Sequence, residues 1–105
     1  MDSAFFASSA SQAVGDLLPL HALSRGERGV IEQMRKPTQD GDHEVLLRLL
    51  EIGFLPGEIV RVIAPSRRAS DPVAVRIGQA TFALRVYEAA FIEVRLVTET
   101  VGSRV

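Results

Sequence analysis

The sequence predicts a small, mainly β domain: a closed barrel of about five short strands with one α-helix inserted after the first. Three observations carry that prediction. Apolar residues recur at helical spacing between 45 and 52, then at a period of two from residue 59 onward. Single Gly and Pro residues punctuate the chain between those runs. The 105 residues, 47% of them apolar, are enough for one hydrophobic core and too few for two.

Each element follows from its residues. Val30-Ile31-Glu32-Gln33-Met34, after the turn-forming Ser24-Arg25-Gly26-Glu27, reads as the first strand, and the polar stretch from Lys36 to Gly41 as the loop behind it. From Glu44 to Ile52 the apolar residues at 45, 46, 49, 50 and 52 form one stripe of a helix. Asp42 or Asp40 is placed to cap its start, and Glu44 lies in the first turn, where the helix dipole favours an anion. Gly53 supplies the left-handed stop, after which Phe54 can fold back on the last turn. Leu55-Pro56-Gly57-Glu58 has the Pro and Gly of a type II turn at its centre. Val60, Val62 and Ala64 then alternate with Ile59, Arg61 and Ile63, and Val73, Val75 and Ile77 alternate with Ala74, Arg76 and Gly78. Gly78-Gln79 closes a hairpin into Thr81 to Leu84, and Ile92, Val94 and Leu96 make the last strand. Short strands joined by tight turns favour closure, because a barrel has no exposed sheet edge.

The ends read differently. Residues 1–16 carry two acids, no base and four serines without periodicity, and are expected to be a flexible leader; residues 98–105 read as a short tail, leaving 17–97 as the domain. The start lacks the basic residues and the apolar run of a signal peptide, and no stretch approaches the length of a membrane span, so a cytoplasmic location is the expectation.

Composition removes several function classes. Without cysteine there is no disulfide framework, thiolate zinc finger or Cys nucleophile. A net charge of -1, from 12 basic and 13 acidic residues, argues against holding nucleic acid by general attraction to phosphate. Ser24 follows His21 by three positions, but no nucleophile elbow accompanies it, and no glycine loop precedes a Lys-Ser or Lys-Thr pair. The chain is therefore not expected to be an enzyme.

Two groups of polar residues remain. Asp40-Gly41-Asp42-His43-Glu44 gathers carboxylates and an imidazole, which suit a borderline divalent metal, yet the spacing fits neither an EF-hand nor a two-histidine protease helix. No dedicated metal site or required cofactor is expected; His21, Asp42 and His43 are candidates for opportunistic capture at the surface. Arg61, Arg76, Arg85 and Arg95 fall on the polar faces of strands, and Arg67-Arg68 add a basic loop. That pattern suits an acidic protein partner better than nucleic acid, for which Tyr87 is the only polar aromatic.

The run from Arg48 to Val62, Arg48-Leu49-Leu50-Glu51-Ile52-Gly53-Phe54-Leu55-Pro56-Gly57-Glu58-Ile59-Val60-Arg61-Val62, resembles the signature of the FeoA family, small cytoplasmic proteins of bacterial ferrous iron transport. Ala64-Pro65, Asp71-Pro72-Val73-Ala74-Val75-Arg76, Phe82-Ala83-Leu84-Arg85 and Glu88-Ala89 continue the likeness in order, and Leu23, Gly26 and Glu27 match its opening. The resemblance implies an SH3-like β-barrel and a protein that binds and modulates FeoB, a membrane transporter with a cytoplasmic GTP-binding domain. It gives Arg48, Leu49, Leu50, Gly53, Pro56, Gly57, Asp71 and Pro72 as structural motif residues. The sequence departs from the family pattern at Ser70, where Gly commonly precedes Asp-Pro, and at Val86, where a second basic residue commonly follows Arg85. Phe54, Leu55, Arg67, Arg68, Arg85 and Tyr87 are the candidate partner contacts. Two other classes stay open: an SH3-like regulatory module acting with a metal-dependent repressor, and a direct iron sensor or carrier.

Overall fold

Six antiparallel strands form one sheet in a computed structural model that describes residues 11–68 and 70–99. In chain order the elements are β1 (Ser11–Pro19), a single 3-10 turn (Leu20–Ala22), β2 (Arg28–Met34), α1 (Asp42–Ile52), β3 (Ile59–Ala64), β4 (Val73–Ile77), β5 (Ala80–Leu84), α2 (Val86–Ala89) and β6 (Ile92–Glu99). The strands lie side by side as β1-β6-β2-β3-β4-β5, with β1 and β5 at the edges. Among the described residues no ladder joins those two edges, so hydrogen bonding does not close the sheet.

The sixth strand corrects the reading of the N-terminus. Residues 11–16, expected in a flexible leader, pair with β6, Ser11 opposite Glu99 and Val14 opposite Leu96. Their register shifts between Val14 and Leu18, around Gly15 at φ +84°. A bulge moves later side chains to the other face, which is why no period of two shows in this stretch. At the other end Thr98 and Glu99 belong to β6 rather than to a tail. The rest of the expected leader, residues 1–10, and of the tail, residues 100–105, lies outside the described residues.

The alternation read from β3 and β4 matches their packing. Val60 and Val62 are buried while Arg61 is exposed, and Val73, Val75 and Ile77 are buried around Arg76. These side chains meet Leu20, Ile31, Leu84, Ile92 and Val94 in one core. Each fully buried aliphatic side chain contributes roughly 1.5–3 kcal/mol of transfer free energy. Further bulges between Ile31 and Gln33 and between Val62 and Ala64 bend the sheet around that core.

Helix α1 lays Leu46 and Leu49 into the core, with Val45 and Ile52 against its rim. It starts at Asp42, two residues earlier than its apolar stripe, with Gly41 at the cap position and no side-chain cap. Asp42 instead accepts backbone N–H bonds from Thr38 and Gln39, both 2.9 Å, so it fastens the preceding loop. Gly53 ends the helix at φ +125°, and its N–H and that of Phe54 donate to Leu49 O.

The Pro56-Gly57 turn sets the sheet. Glu58 N–H donates to Leu55 O at 3.0 Å and Gly57 adopts φ +95°, as a type II turn requires. Gly57 N–H donates to Ile31 O and Ile31 N–H to Glu58 O, at 2.7 and 2.8 Å, so the turn is stitched to β2 just where β3 begins. Among the described residues no helix is long and apolar enough to cross a membrane.

Candidate interaction surface

The one buried charged side chain among the described residues is Glu88, in α2. Its Oε1 accepts the backbone N–H of Arg85 at 2.8 Å, the acidic half of a capping box, and its Oε2 pairs with Arg48 Nη1 at 2.7 Å. Arg48 comes from α1, forty positions earlier, and its side chain stays largely exposed. The pair therefore braces two helices that the sheet alone does not join. Sequence reading placed Arg48 and Glu88 in separate motif pieces and did not connect them. The residues next to the brace are apolar and open to solvent: Leu47 on α1 is 56% exposed and Tyr87 on α2 57%. Leu47 was missed because its helix reads as a single stripe with 47 outside it.

The other candidate contacts divide. Leu55, in the turn after α1, is 43% exposed. Arg67 and Arg68 are exposed in the β3–β4 loop, where Ser66 Oγ donates to Arg68 O and Asp71 N–H donates to the same oxygen at 2.9 Å. Arg85 lines a shallow cleft of about 270 Å³ with Ser70, Pro72 and Ala83. Phe54 is different. It is fully buried, its ring edge-on to Phe82 with centroids 5.8 Å apart, so it is a core residue and offers no contact surface. The helix stop at Gly53 turns the chain inward, and the ring fills the space below it.

The histidines and acids do not converge. His21 sits half-buried in the 3-10 turn, its Nδ1 buried without a hydrogen-bond partner. Asp42 and His43 lie at the start of α1, and the Asp42 carboxyl is held below the usual carboxylate range by the N–H bonds from Thr38 and Gln39, with Arg35 and His43 adding to the effect. Among the described residues no three His, Asp or Glu side chains gather around a common point. Arg95 is already engaged, 3.5 Å from Glu32 and bonded to Gly15 O.

The FeoA domain model matches residues 18–96. The chain belongs to the FeoA family. A zinc-complexed FeoA from Stenotrophomonas maltophilia, described as a prokaryotic SH3 domain protein, is 32% identical, with 73% of this chain and 88% of that one covered at a TM-score of 0.64. An iron uptake regulatory FeoA shares the fold at a TM-score of 0.65 and 21% identity, over 77% of this chain and 99% of that one. A manganese-dependent transcriptional repressor superposes with a TM-score of 0.65 at 25% identity, over 79% of this chain but only 43% of its own. A search of the curated proteins found no match. For this FeoA-family chain the motif residues now have structural places: Gly53, Pro56 and Gly57 build the stop and turn, Leu49 fills the core, and Arg48 holds Glu88.

Proposed function

We propose that this chain is a non-enzymatic accessory protein of ferrous iron uptake that docks on the cytoplasmic part of a FeoB-type transporter and modulates its cycle. The observation that carries this reading is the family match over residues 18–96. It is supported by the Stenotrophomonas maltophilia relative, which has been put forward as a transport activating factor. We read the bent six-stranded sheet as an SH3-like barrel with β1 and β5 as its lips.

The docking surface is the braced pair of helices. Leu47 and Tyr87 directly precede Arg48 and Glu88 on their helices and are both exposed; an exposed Tyr on a braced element is a common interface anchor, and Leu47 adds apolar area. Leu55, Arg67, Arg68 and Arg85 extend it, the arginines orienting the partner rather than supplying most of the affinity. Docking modulates transport only if it favours one state of the transporter over another. No resident cofactor is needed for that role, and zinc or iron captured by His21, Asp42 or His43 would be adventitious.

The test is capture of the transporter's GTP-binding region by the full-length chain, loaded with GTP or GDP. We expect retention that depends on nucleotide and falls about tenfold when Leu47→Ala and Tyr87→Ala are combined. Absence of capture in both nucleotide states, with iron uptake unchanged on deletion, would sink the reading. The second reading is favoured by the repressor likeness: a regulatory module acting in trans with a metal-dependent repressor. Capture of such a repressor in place of the transporter would select it.

A further inference from the structure

The two edges of the sheet are built differently. An edge strand offers a row of unpaired N–H and C=O groups, and proteins blunt such rows with bulges, prolines and charged side chains. β1 has all three, in the bulge at Gly15, Asp16 and Pro19. β5, Ala80-Thr81-Phe82-Ala83-Leu84, has none, and its register with β4 runs without a shift from Ile77 opposite Ala80 to Val73 opposite Leu84. Gly78 at φ +59° opens a two-residue turn between them, which makes Ile77 and Ala80 a hydrogen-bonded pair. Bonded and non-bonded pairs alternate along an antiparallel ladder. The N–H and C=O groups of Phe82 and Leu84 therefore turn toward β4, and those of Thr81 and Ala83 turn away from it. Among the described residues no strand lies on that outer side, and no turn or loop bond reaches Thr81 or Ala83. Ala80, Thr81 and Ala83 are exposed, and Phe82, edge-on to Phe54, is only half-buried.

We infer that β5 pairs antiparallel with β5 of a second copy of this chain, joining the two sheets about a two-fold axis at Phe82. Phe82 is the middle residue of the strand, so this register overlaps all of it. It sets Thr81 of each copy opposite Ala83 of the other, and the outward N–H and C=O groups of both residues are used. Phe82 then faces its own copy in a non-bonded pair, where side chains approach most closely, and the two rings cover each other's remaining exposed surface on the core side. Ala80 falls opposite Leu84 and Gln79 opposite Arg85, so no like charges meet along the seam, and the Gln79 amide can accept from the Arg85 guanidinium. A net charge of -1 per chain leaves little repulsion between copies. Pairing of β5 with β1 of another copy would be heterologous and propagate into a filament, and the blunted β1 edge opposes it. The seam is one short strand long, which places the dimer among weak interfaces, with a dissociation constant of about 10–100 µM. The inference does not rest on the transporter reading.

The test is sedimentation equilibrium of the full-length chain from about 10 µM to about 1 mM, in buffer with a chelator to exclude metal bridging, with amide exchange measured at both ends of that range. A dimer is expected at the upper end, and the Thr81 and Ala83 amides should exchange several-fold more slowly there than at the lower end. Thr81→Pro and Ala83→Pro each remove one outward N–H and no bond to β4, so each should fold, as edge prolines allow, and stay monomeric throughout. Ala83→Val keeps the N–H and should dimerise as the unaltered chain does. Were neither proline variant to fold, the concentration dependence of exchange in the unaltered chain decides alone. The inference is overturned if the chain is monomeric at the upper concentration, or if folded proline variants still dimerise. It is overturned as well if the amides that gain protection lie elsewhere, or if Thr81 and Ala83 are already protected in the monomer, which would put a segment of the same chain on this edge.

Discussion

Glu88 shows how one residue can be structural and still define a surface. A carboxylate this buried persists because it is bonded on both oxygens, to Arg85 N–H and to Arg48. Glu88→Ala strands the Arg85 N–H and frees α2 from α1, and should lower stability by about 2 kcal/mol in urea unfolding. Glu88→Gln keeps an acceptor for the N–H and loses only the ion pair, which Arg48 shares with solvent, so its cost should be about 1 kcal/mol or less. Equal losses for the two variants would contradict this division. Asp42 makes a pH-dependent contribution at the surface. Its carboxyl is held low by N–H bonds from Thr38 and Gln39, so the ionised form is the one the fold favours. That contribution is complete above the unfolded-state value and is lost as pH falls through the lower folded value. The protection of the Thr38 and Gln39 amides, their exchange relative to the unstructured rate at the same pH, should therefore fall on acidification below the usual carboxylate range. Asp42→Asn should remove that dependence, and a profile unchanged by the substitution would refute the assignment.

Among the elements, β2 carries a constraint that no periodicity reveals. Gly29 faces the core where β6 crosses it, and a methyl group there would stand 2.8 Å from Val94 Cγ2 and 2.9 Å from its Cβ. Those are contacts with the stem of a branched side chain in the core, which cannot swing aside. Gly29→Ala should cost about 1–3 kcal/mol by overpacking, measured as a shift of the denaturation midpoint. A smaller cost would mean that β6 can move away from β2. The elements legible in the sequence were those whose signal is local: the α1 stripe with its Gly53 stop, the Pro56-Gly57 turn, and the alternation through β3 and β4. What escaped depends on partners remote in sequence. β1 becomes a strand because β6 lies beside it, and its bulge at Gly15 erased the alternation. Helix α2 is four residues long, too short for a period, and its only signal is the Arg85-to-Glu88 spacing. Phe54 and Leu55 show the same limit within the candidate site: adjacent apolar residues after a helix stop, one fully buried and the other exposed, with only the path of the chain deciding which.

At the scale of the whole molecule, the order of the strands decides how the domain is assembled. β6, the last element, lies between β1 and β2, the first two strands, so the ladders on both its sides join distant parts of the chain. The bond from Arg95 to Gly15 O spans 80 positions. Folding dominated by such contacts is expected in the millisecond to second range, because most of the loop entropy is spent before the central ladders form. The two ends are nevertheless not equivalent. A chain ending at Phe91 lacks Ile92 and Val94 from the core and leaves β1 with no neighbour and β2 with only β3. It should show no cooperative transition in urea. A chain beginning at Leu17 keeps the pairs of Leu18 with Val94 and Pro19 with Glu93 and loses only the outer part of β1. It should unfold cooperatively at a lower midpoint, with faster amide exchange in β6, and self-associate through the newly bared edge at high concentration. A cooperative transition in the C-terminally shortened chain would show that β2 to β5 can fold alone, and that β6 is an addition to the domain and not its centre.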